Sequence, residues 1–327
     1  MVLVRKDRMN WSRLRSLDTW KGVALETAWK VRSISVSKNV SPTWRFKPQE
    51  IEAVHILWPL KYEWTPACRW VEPLFKGLSK YVMVERTGIP QKFKGIVLIQ
   101  LVVQGARHDV AIDYSDGLQI NEECMRQSLV YFKMQFARTG YPTGNIVPGG
   151  FVPFTDAIYQ YLPYVRALTN RKSICYDVYG RFGLEFAKEI RRKACSLLAQ
   201  QSYFRWEGGV RKKRYSLALR DIARSRICID LPGNGDFCFR LIDYFAVGAC
   251  VIAPKHHTAF PIPVMDREHI VYAKEDLSDL VDLCRFYLNN DEARREVVRN
   301  SRLYFDRYLH RDQLAAYYLR CCVDALK

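Results

Sequence analysis

The chain has 327 residues, 49% apolar and 26% charged, a composition too apolar for a disordered polypeptide and ordinary for a globular one. At ~150 residues per domain this length corresponds to two domains. Lys and Arg number 51 against 34 Asp and Glu, and the resulting charge of +17 favours a polyanionic partner: anionic phospholipid, nucleic acid, or a phosphate-bearing donor and acceptor.

The ten cysteines include no Cys-x-x-Cys pair, and no His-x-x-x-His occurs, so zinc and redox chemistry have little support. The thiols read instead as small buried hydrophobes of a protein in the reducing cytoplasm. No stretch reaches the ~20 apolar residues of a membrane span. The basic first thirty residues are followed by no apolar region of a signal peptide.

Residues 1–50 carry eleven Lys or Arg and four acids. Trp11, Leu14, Leu17, Val23, Ala24, Ala28 and Val31 recur at helical spacing, with Arg13, Arg15, Lys21, Lys30 and Arg32 between them. Two readings of this basic amphipathic segment stand: a helix lying on an anionic membrane, or one packed on the protein's own core. Residues 51–165 form a first, acceptor-side unit. Its predicted elements are a strand at Glu52–Trp58, a helix at Pro66–Tyr81, and strands at Tyr81–Glu85, Gly95–Val103 and Asp109–Tyr114. The last ends in the turn Ser115-Asp116-Gly117. Leu129–Phe136 is strand or helix, and Pro148-Gly149-Gly150 breaks the pattern. The alternation predicts a parallel sheet.

Ile158–Leu168 carries the chain between domains, and residues 166–327 form a second alternating series. Strands are predicted at Ser173–Val178, closed by Tyr179-Gly180, and at Arg226–Leu231, Ala249–Ala253 and Ile270–Tyr272. Helices are predicted at Glu185–Ala199, Tyr215–Ala223, Arg240–Val247 and Leu277–Leu288, and from Asp291 to about Ala325. The expected fold is therefore α/β, with two Rossmann-like domains facing a cleft and a C-terminal helix crossing back to the first.

The segment from Ser225 to Pro254 has a chemical logic. A buried strand ends at the turn Pro232-Gly233-Asn234-Gly235, which opens a helix whose free N-terminal amides suit a phosphate. Gly233 and Gly235 allow close backbone approach. Arg240, about one turn into the helix, supplies a bidentate clamp. Asp243 lies three residues on, on the same face, where a carboxylate accepts from two ribose hydroxyls. The alternative is a surface salt bridge between these two side chains.

This segment resembles the donor-binding motif of exostosin-like and related GT-B glycosyltransferases: strand, Gly-containing loop, Ser-x-Arg-Leu-x-Glu, then a small residue and Gly before the next strand. Here it reads Cys238-Phe-Arg240-Leu241-Ile-Asp243, with Gly248 before Ala-Cys-Val-Ile. Cys238 stands for the family's serine and Asp243 for its glutamate. Pro261–Pro263, Asp266–Tyr272 and the Asp276-Leu-Ser-Asp-Leu start also fit. The resemblance implies a donor domain over roughly residues 173–325, with Tyr179, Gly180 and Arg181 at the interdomain cleft, Arg181 and Arg191 as phosphate contacts or, for Arg191, an exposed helix charge, and His256 and His257 near the donor sugar or in a surface loop. It implies no cofactor beyond a nucleotide-sugar co-substrate, and no metal, since no Asp-x-Asp occurs. A catalytic base would come from a cleft-facing loop of the first domain. Asp116, Asp113, His108 and Asp109 are the candidates, with Asp116 placed before Asp113.

The expected function is transfer of a sugar from a UDP- or GDP-type donor to an anionic acceptor, a lipid-linked or envelope saccharide at the inner leaflet. The alternatives are glycosylation of modified DNA bases, or non-catalytic nucleic-acid binding through the charge, the tryptophans and the run Arg211-Lys-Lys-Arg214.

Overall fold

The computed structural model describes residues 17–32, 42–169, 174–210 and 213–327. Trp11, Arg13, Leu14, Arg15, Ser173, Arg211 and Lys212, which figure in the expectations above, lie outside them. In chain order the first part runs α1 (Leu17–Arg32), α2 (Pro48–Ile51), β1 (Val54–Pro59), α3 (Cys68–Leu78), β2 (Met83–Thr87), β3 (Ile96–Val103), β4 (Ala106–Asp113), α4 (Glu122–Gln127), β5 (Val130–Lys133), β6 (Ile146–Pro148) and α5 (Ile158–Thr169). The second part runs β7 (Tyr176–Arg181), α6 (Lys188–Gln200), β8 (Trp206–Gly209), α7 (Tyr215–Ala223), β9 (Ser225–Ile229), α8 (Phe239–Val247), β10 (Cys250–Pro254), β11 (Val271–Ala273), α9 (Leu280–Asn289), α10 (Asp291–Tyr304) and α11 (Arg311–Asp324).

The first sheet has the order β2-β1-β3-β4-β5-β6. It is not wholly parallel as expected: β3 runs antiparallel to both β1 and β4. The cause is local. Gln104 and Gly105 both take positive φ, 51° and 84°, and turn β3 directly into β4 with Val103 opposite Ala106. Two consecutive left-handed residues give the tight hairpin turn whose twist matches its strands. The second sheet, β11-β10-β9-β7-β8, is parallel throughout. Counted from β7 it has the doubly wound order 2-1-3-4-5, in which the winding reverses between its first and third strands. Its inner strand β10, between β11 and β9, is buried at every position, as a strand covered on both faces must be.

One apolar core spans both sheets, from Val71 and Leu74 on α3 through Phe132 on β5 to Leu241 and Phe245 on α8. Smaller clusters cover the outer faces, with Leu198 and Cys284 over β9 and β10, and Met125 over Ala111 and Tyr131. The C-terminal helix crosses back as expected. α10 packs on α8 and β10 of the second unit, and α11 lies on α3 of the first. There Tyr318 stacks on Phe132 at 3.7 Å and donates to the Gly149 carbonyl at 2.9 Å. A π-helical turn, Phe305–Leu309, joins the two helices. In that turn Asp306 receives both Nη groups of Arg166 from α5, at 3.0 and 2.8 Å.

The described part of the basic N-terminal segment packs inward. α1 lies on α5 and α7. Trp29 is buried against Tyr161 at 5.2 Å, and Glu26 pairs with Arg214 through Nε and Nη2 at 2.8 and 2.7 Å. Trp20 stays outside at 63% exposure. Among the described residues no helix is long and apolar enough to cross a membrane.

Candidate active site

Ligands of doubly wound sheets bind beyond the carboxyl ends of the strands, where the winding reverses. In the second sheet that crevice lies between Arg181 at the end of β7 and Asp230 just past β9. A cavity of about 440 Å³ opens there, lined among others by Phe154, Tyr179, Arg181, Tyr215, Arg240 and Asp243. Helix α8 supplies the last two. Their spacing of three residues puts both on one face, and that face is the cavity wall.

Arg240 is not a loose surface cation. Its Nε donates to Asp230 at 2.8 Å, and Asp230 is 0% exposed. Its guanidinium also donates to the Leu231 carbonyl and lies 4.9 Å from the Phe182 ring centroid. Nearby, Arg191 donates to the carbonyls of Pro232 and Gly183, and Arg181 pairs with Glu207. Burial, with Arg240 beside it, pulls the pKa of Arg191 below the usual range. Three guanidinium groups thus converge on one crevice with Asp230 and Glu207 as counter-charges. Asp243 is buried, and its Oδ1 accepts from the Tyr215 hydroxyl at 2.8 Å and the Phe154 amide at 3.2 Å. Burial pushes its carboxyl up to about 7.

The glycine turn behaves differently from the expectation. It does not open the helix: Asp236, Phe237 and Cys238 intervene, and Cys238 is the N-cap of α8 with no side-chain cap bond. The Cys238 thiol sits 3.6 Å from Asp230 instead. The turn closes on itself, Gly233 donating to Gly235 at 2.9 Å, and docks on the first unit. A Cβ on Gly235 would stand 2.5 Å from Gln135 Nε2 and 2.9 Å from the Asp116 carbonyl. Buried Gln135 exchanges two hydrogen bonds with the Phe237 backbone, at 2.9 and 3.1 Å, and Asn234 donates to Asp116 Oδ2 at 3.1 Å. Gly180 is a β7 residue rather than a loop residue, and its missing Cβ leaves room for the Phe182 and Trp206 rings. Gly248 ends α8 at φ 87° as expected.

His256 lies outside the crevice. It is buried in a separate cavity of about 210 Å³, between Phe237 and Tyr272, with Nδ1 3.2 Å from the Tyr272 hydroxyl. Burial depresses its pKa. His257 is exposed, its backbone amide held by Asp236.

Among the candidate bases, only Asp116 meets the second unit. It is exposed, past the carboxyl end of β4, and bonded to Asn234. Asp113 is 2% exposed with both oxygens occupied: Oδ1 by the amide and hydroxyl of Ser115 at 2.8 and 2.6 Å, Oδ2 by the Tyr131 hydroxyl at 2.6 Å and Lys133 at 3.0 Å. Lys133 is itself 0% exposed, and burial lowers its pKa. His108 pairs with Leu101 near the start of β4. At ~3.4 Å per residue it lies roughly 17 Å from Asp113, toward the far end of the sheet. Asp109, next to it, accepts from Gln100 at 2.9 Å. Of the basic run, Lys213 pairs with buried Asp221 and Arg214 with Glu26.

Sequence reasoning placed Tyr179 at the cleft, where it lines the crevice, but passed over Gln135, which joins the units, and the other aromatic residues of the cavities. Trp64, Trp70 and Tyr114 line a second cavity of about 310 Å³ beside Asp116. Their signal was weak: Trp70 and Tyr114 fit a helix face and a strand end, and only Trp64, in the loop after β1, lacked a structural assignment. Among the described residues no group of three or more His, Cys, Asp or Glu side chains is placed to hold a metal ion. All ten cysteines are free thiols.

Residues 166–319 match the family described as glycosyl transferase-like. No curated protein matches the chain. Among solved structures, a glycosyltransferase from Rickettsia africae ESF-5 is similar at 17% identity and a TM-score of 0.33, over 50% of this chain and 43% of that one. The glycosyl transferase-like match thus falls on the second α/β unit and takes in the crevice with Arg181, Arg240 and Asp243.

Proposed function

We propose that the protein moves a sugar from a UDP- or GDP-type donor to an anionic acceptor, a lipid-linked or envelope saccharide, in the cytoplasm and without a metal ion. The observation that carries the donor half is the pairing of Arg240 and Asp243 on one face of α8, in the crevice where the second sheet reverses its winding. Arg240 and Arg181 face the diphosphate, where positive charge stabilises the departing nucleotide. Arg191 fixes the crevice wall from behind. Asp243 accepts from the ribose hydroxyls, its Oδ1 already oriented by Tyr215. In an inverting course Asp116 takes the proton of the acceptor hydroxyl. That oxygen bonds to the anomeric carbon, and the carbon–phosphate-oxygen bond breaks with its electron pair leaving on the nucleoside diphosphate. Asn234 holds Asp116 toward the donor unit. His108 and Asp113 take no part in this reading.

The test is a hydrolysis and thermal-shift screen of the purified protein with UDP- and GDP-sugars. The expected result is slow release of the nucleoside diphosphate and a rise in Tm with at least one donor. Arg240→Lys, which keeps a cation near Asp230 but loses the planar fork, should weaken both. No turnover and no shift with any donor would refute the proposal.

A further inference from the structure

The cavity beside Asp116 carries chemistry that the donor site does not use. It lies at the carboxyl ends of β1 and β4, and its wall includes Glu63, Trp64, Trp70, Lys94, Tyr114 and Asp116. Three of its rings form a layered group. Tyr114 lies 5.2 Å from Trp70 at 28° between planes, and 6.3 Å from Trp64 at 19°. Tyr114 is buried, whereas Trp64 is 48% exposed. The indole N–H of Trp70 is buried with no hydrogen-bond partner among the described residues. An aromatic face carries a negative quadrupole. Its best uncharged partner of matching size is a ring that presents polarised C–H groups on a face and hydroxyls at its edge.

From this we infer that the cavity is a saccharide subsite that takes one neutral pyranose ring of the acceptor. The ring lies against Trp64, and its hydroxyls bond to the carboxylates of Glu63 and Asp116. Two carboxylates against a single lysine disfavour an anionic ring here, so negative charge on the acceptor belongs outside the cavity. The position suits transfer. Trp70 touches Phe239 on α8 at 5.1 Å, and Phe239 touches Phe154, which lines the donor cavity, at 5.9 Å. The two cavities are therefore neighbours, with Asp116 on the acceptor side facing Asn234 of the donor unit. The inference rests on the transferase reading for the word acceptor, and on the cavity itself for the word saccharide.

The experiment is saturation-transfer NMR of the whole protein with methyl glycosides of glucose, galactose, mannose and N-acetylglucosamine. Thermal shift with UDP and GDP is measured on the same preparation. The expected result is saturation of the ring C–H protons of at least one glycoside. Trp64→Ala should weaken that binding about tenfold, ~1.4 kcal/mol, and Trp64→Phe should restore most of it. Circular dichroism and melting confirm that each variant folds. A nucleotide shift without glycoside binding, or binding indifferent to Trp64→Ala, overturns the saccharide subsite and leaves the transferase reading standing. Glycoside binding that responds to Trp64→Ala, with no nucleotide shift, supports the subsite and counts against the transferase reading. Absence of both overturns both.

Discussion

Replacing Gly235 and Gly233 separately by alanine distinguishes two jobs for the glycine turn. If both glycines exist to let a phosphate approach, both replacements weaken donor binding and neither alters stability. The structure gives them different surroundings. A Cβ on Gly233 meets only ordinary contacts, the nearest being Arg191 Nη2 at 3.6 Å. A Cβ on Gly235 meets Gln135 Nε2 at 2.5 Å and the Asp116 backbone at 2.9 Å. Neither residue has positive φ, so backbone strain does not enter. Gly233→Ala should therefore change stability by less than about 1 kcal/mol, in the stabilising direction if at all. Gly235→Ala overpacks the contact between the units, at a cost of about 1–3 kcal/mol. If the amide of Gln135 is displaced, two hydrogen bonds to Phe237 are lost, about 1 kcal/mol each. At ~2.1 cal/mol/K of unfolding entropy per residue, about 3 kcal/mol lowers Tm by roughly 4 °C in a chain of 327 residues. Thermal unfolding of the two variants measures it. In the double variant Gln135→Ala/Gly235→Ala the effects should sum to less than the two singles, because one side chain has been removed from the clash. Equal melting temperatures for Gly233→Ala and Gly235→Ala would refute the docking argument.

Other outcomes follow from the same geometry. Asp113→Ala leaves fully buried Lys133 without its carboxylate and should cost about 3–5 kcal/mol by urea unfolding, whereas exposed Asp116→Ala should change stability by less than about 0.5 kcal/mol. Conversely, Asp116→Asn should lower kcat by about 10²–10⁴-fold with the donor KM unchanged, as loss of a general base does. Asp243 has a folded pKa of about 7, raised by burial above its ordinary value of 3.8. The folded state then binds the extra proton between those values, so this group's contribution to stability falls as pH rises from 4 to 7 and stays low above. Asp243→Asn should thus melt higher than the parent at pH 8, with the gap closing toward pH 4. Donor affinity, which needs the carboxylate, should rise through pH 7 in the parent and be flat in the variant.

The second unit was largely legible because each signal there is local. Apolar runs mark β9 and β10, Arg240 and Asp243 sit at helical spacing, and Gly248 stops α8 where a left-handed residue is required. What escaped was set by contacts between distant residues. Asp113 and Asp116 look alike in sequence, yet β5 brings Tyr131 and Lys133 onto the first, and the donor unit brings Asn234 onto the second, 118 residues away. The antiparallel β3 hid behind Gln104, which takes a positive φ without being glycine or asparagine. Strand β8, Trp-Glu-Gly-Gly, has too little β-propensity to be read as a strand, and its parallel pairing with β7 supplies what its side chains do not.

The chain passes between the two units twice, outward through α5 and back through the π-turn into α11, and the ion pair of Arg166 with Asp306 bolts the two passages together. A body tethered at one point can tilt and swivel. Fixed along a short line, it can only swing about that line, as a door does on its frame. Any rotation of one unit on the other would then have its axis near the Arg166–Asp306 pair and would first have to part Gln135 from Phe237 and Asn234 from Asp116.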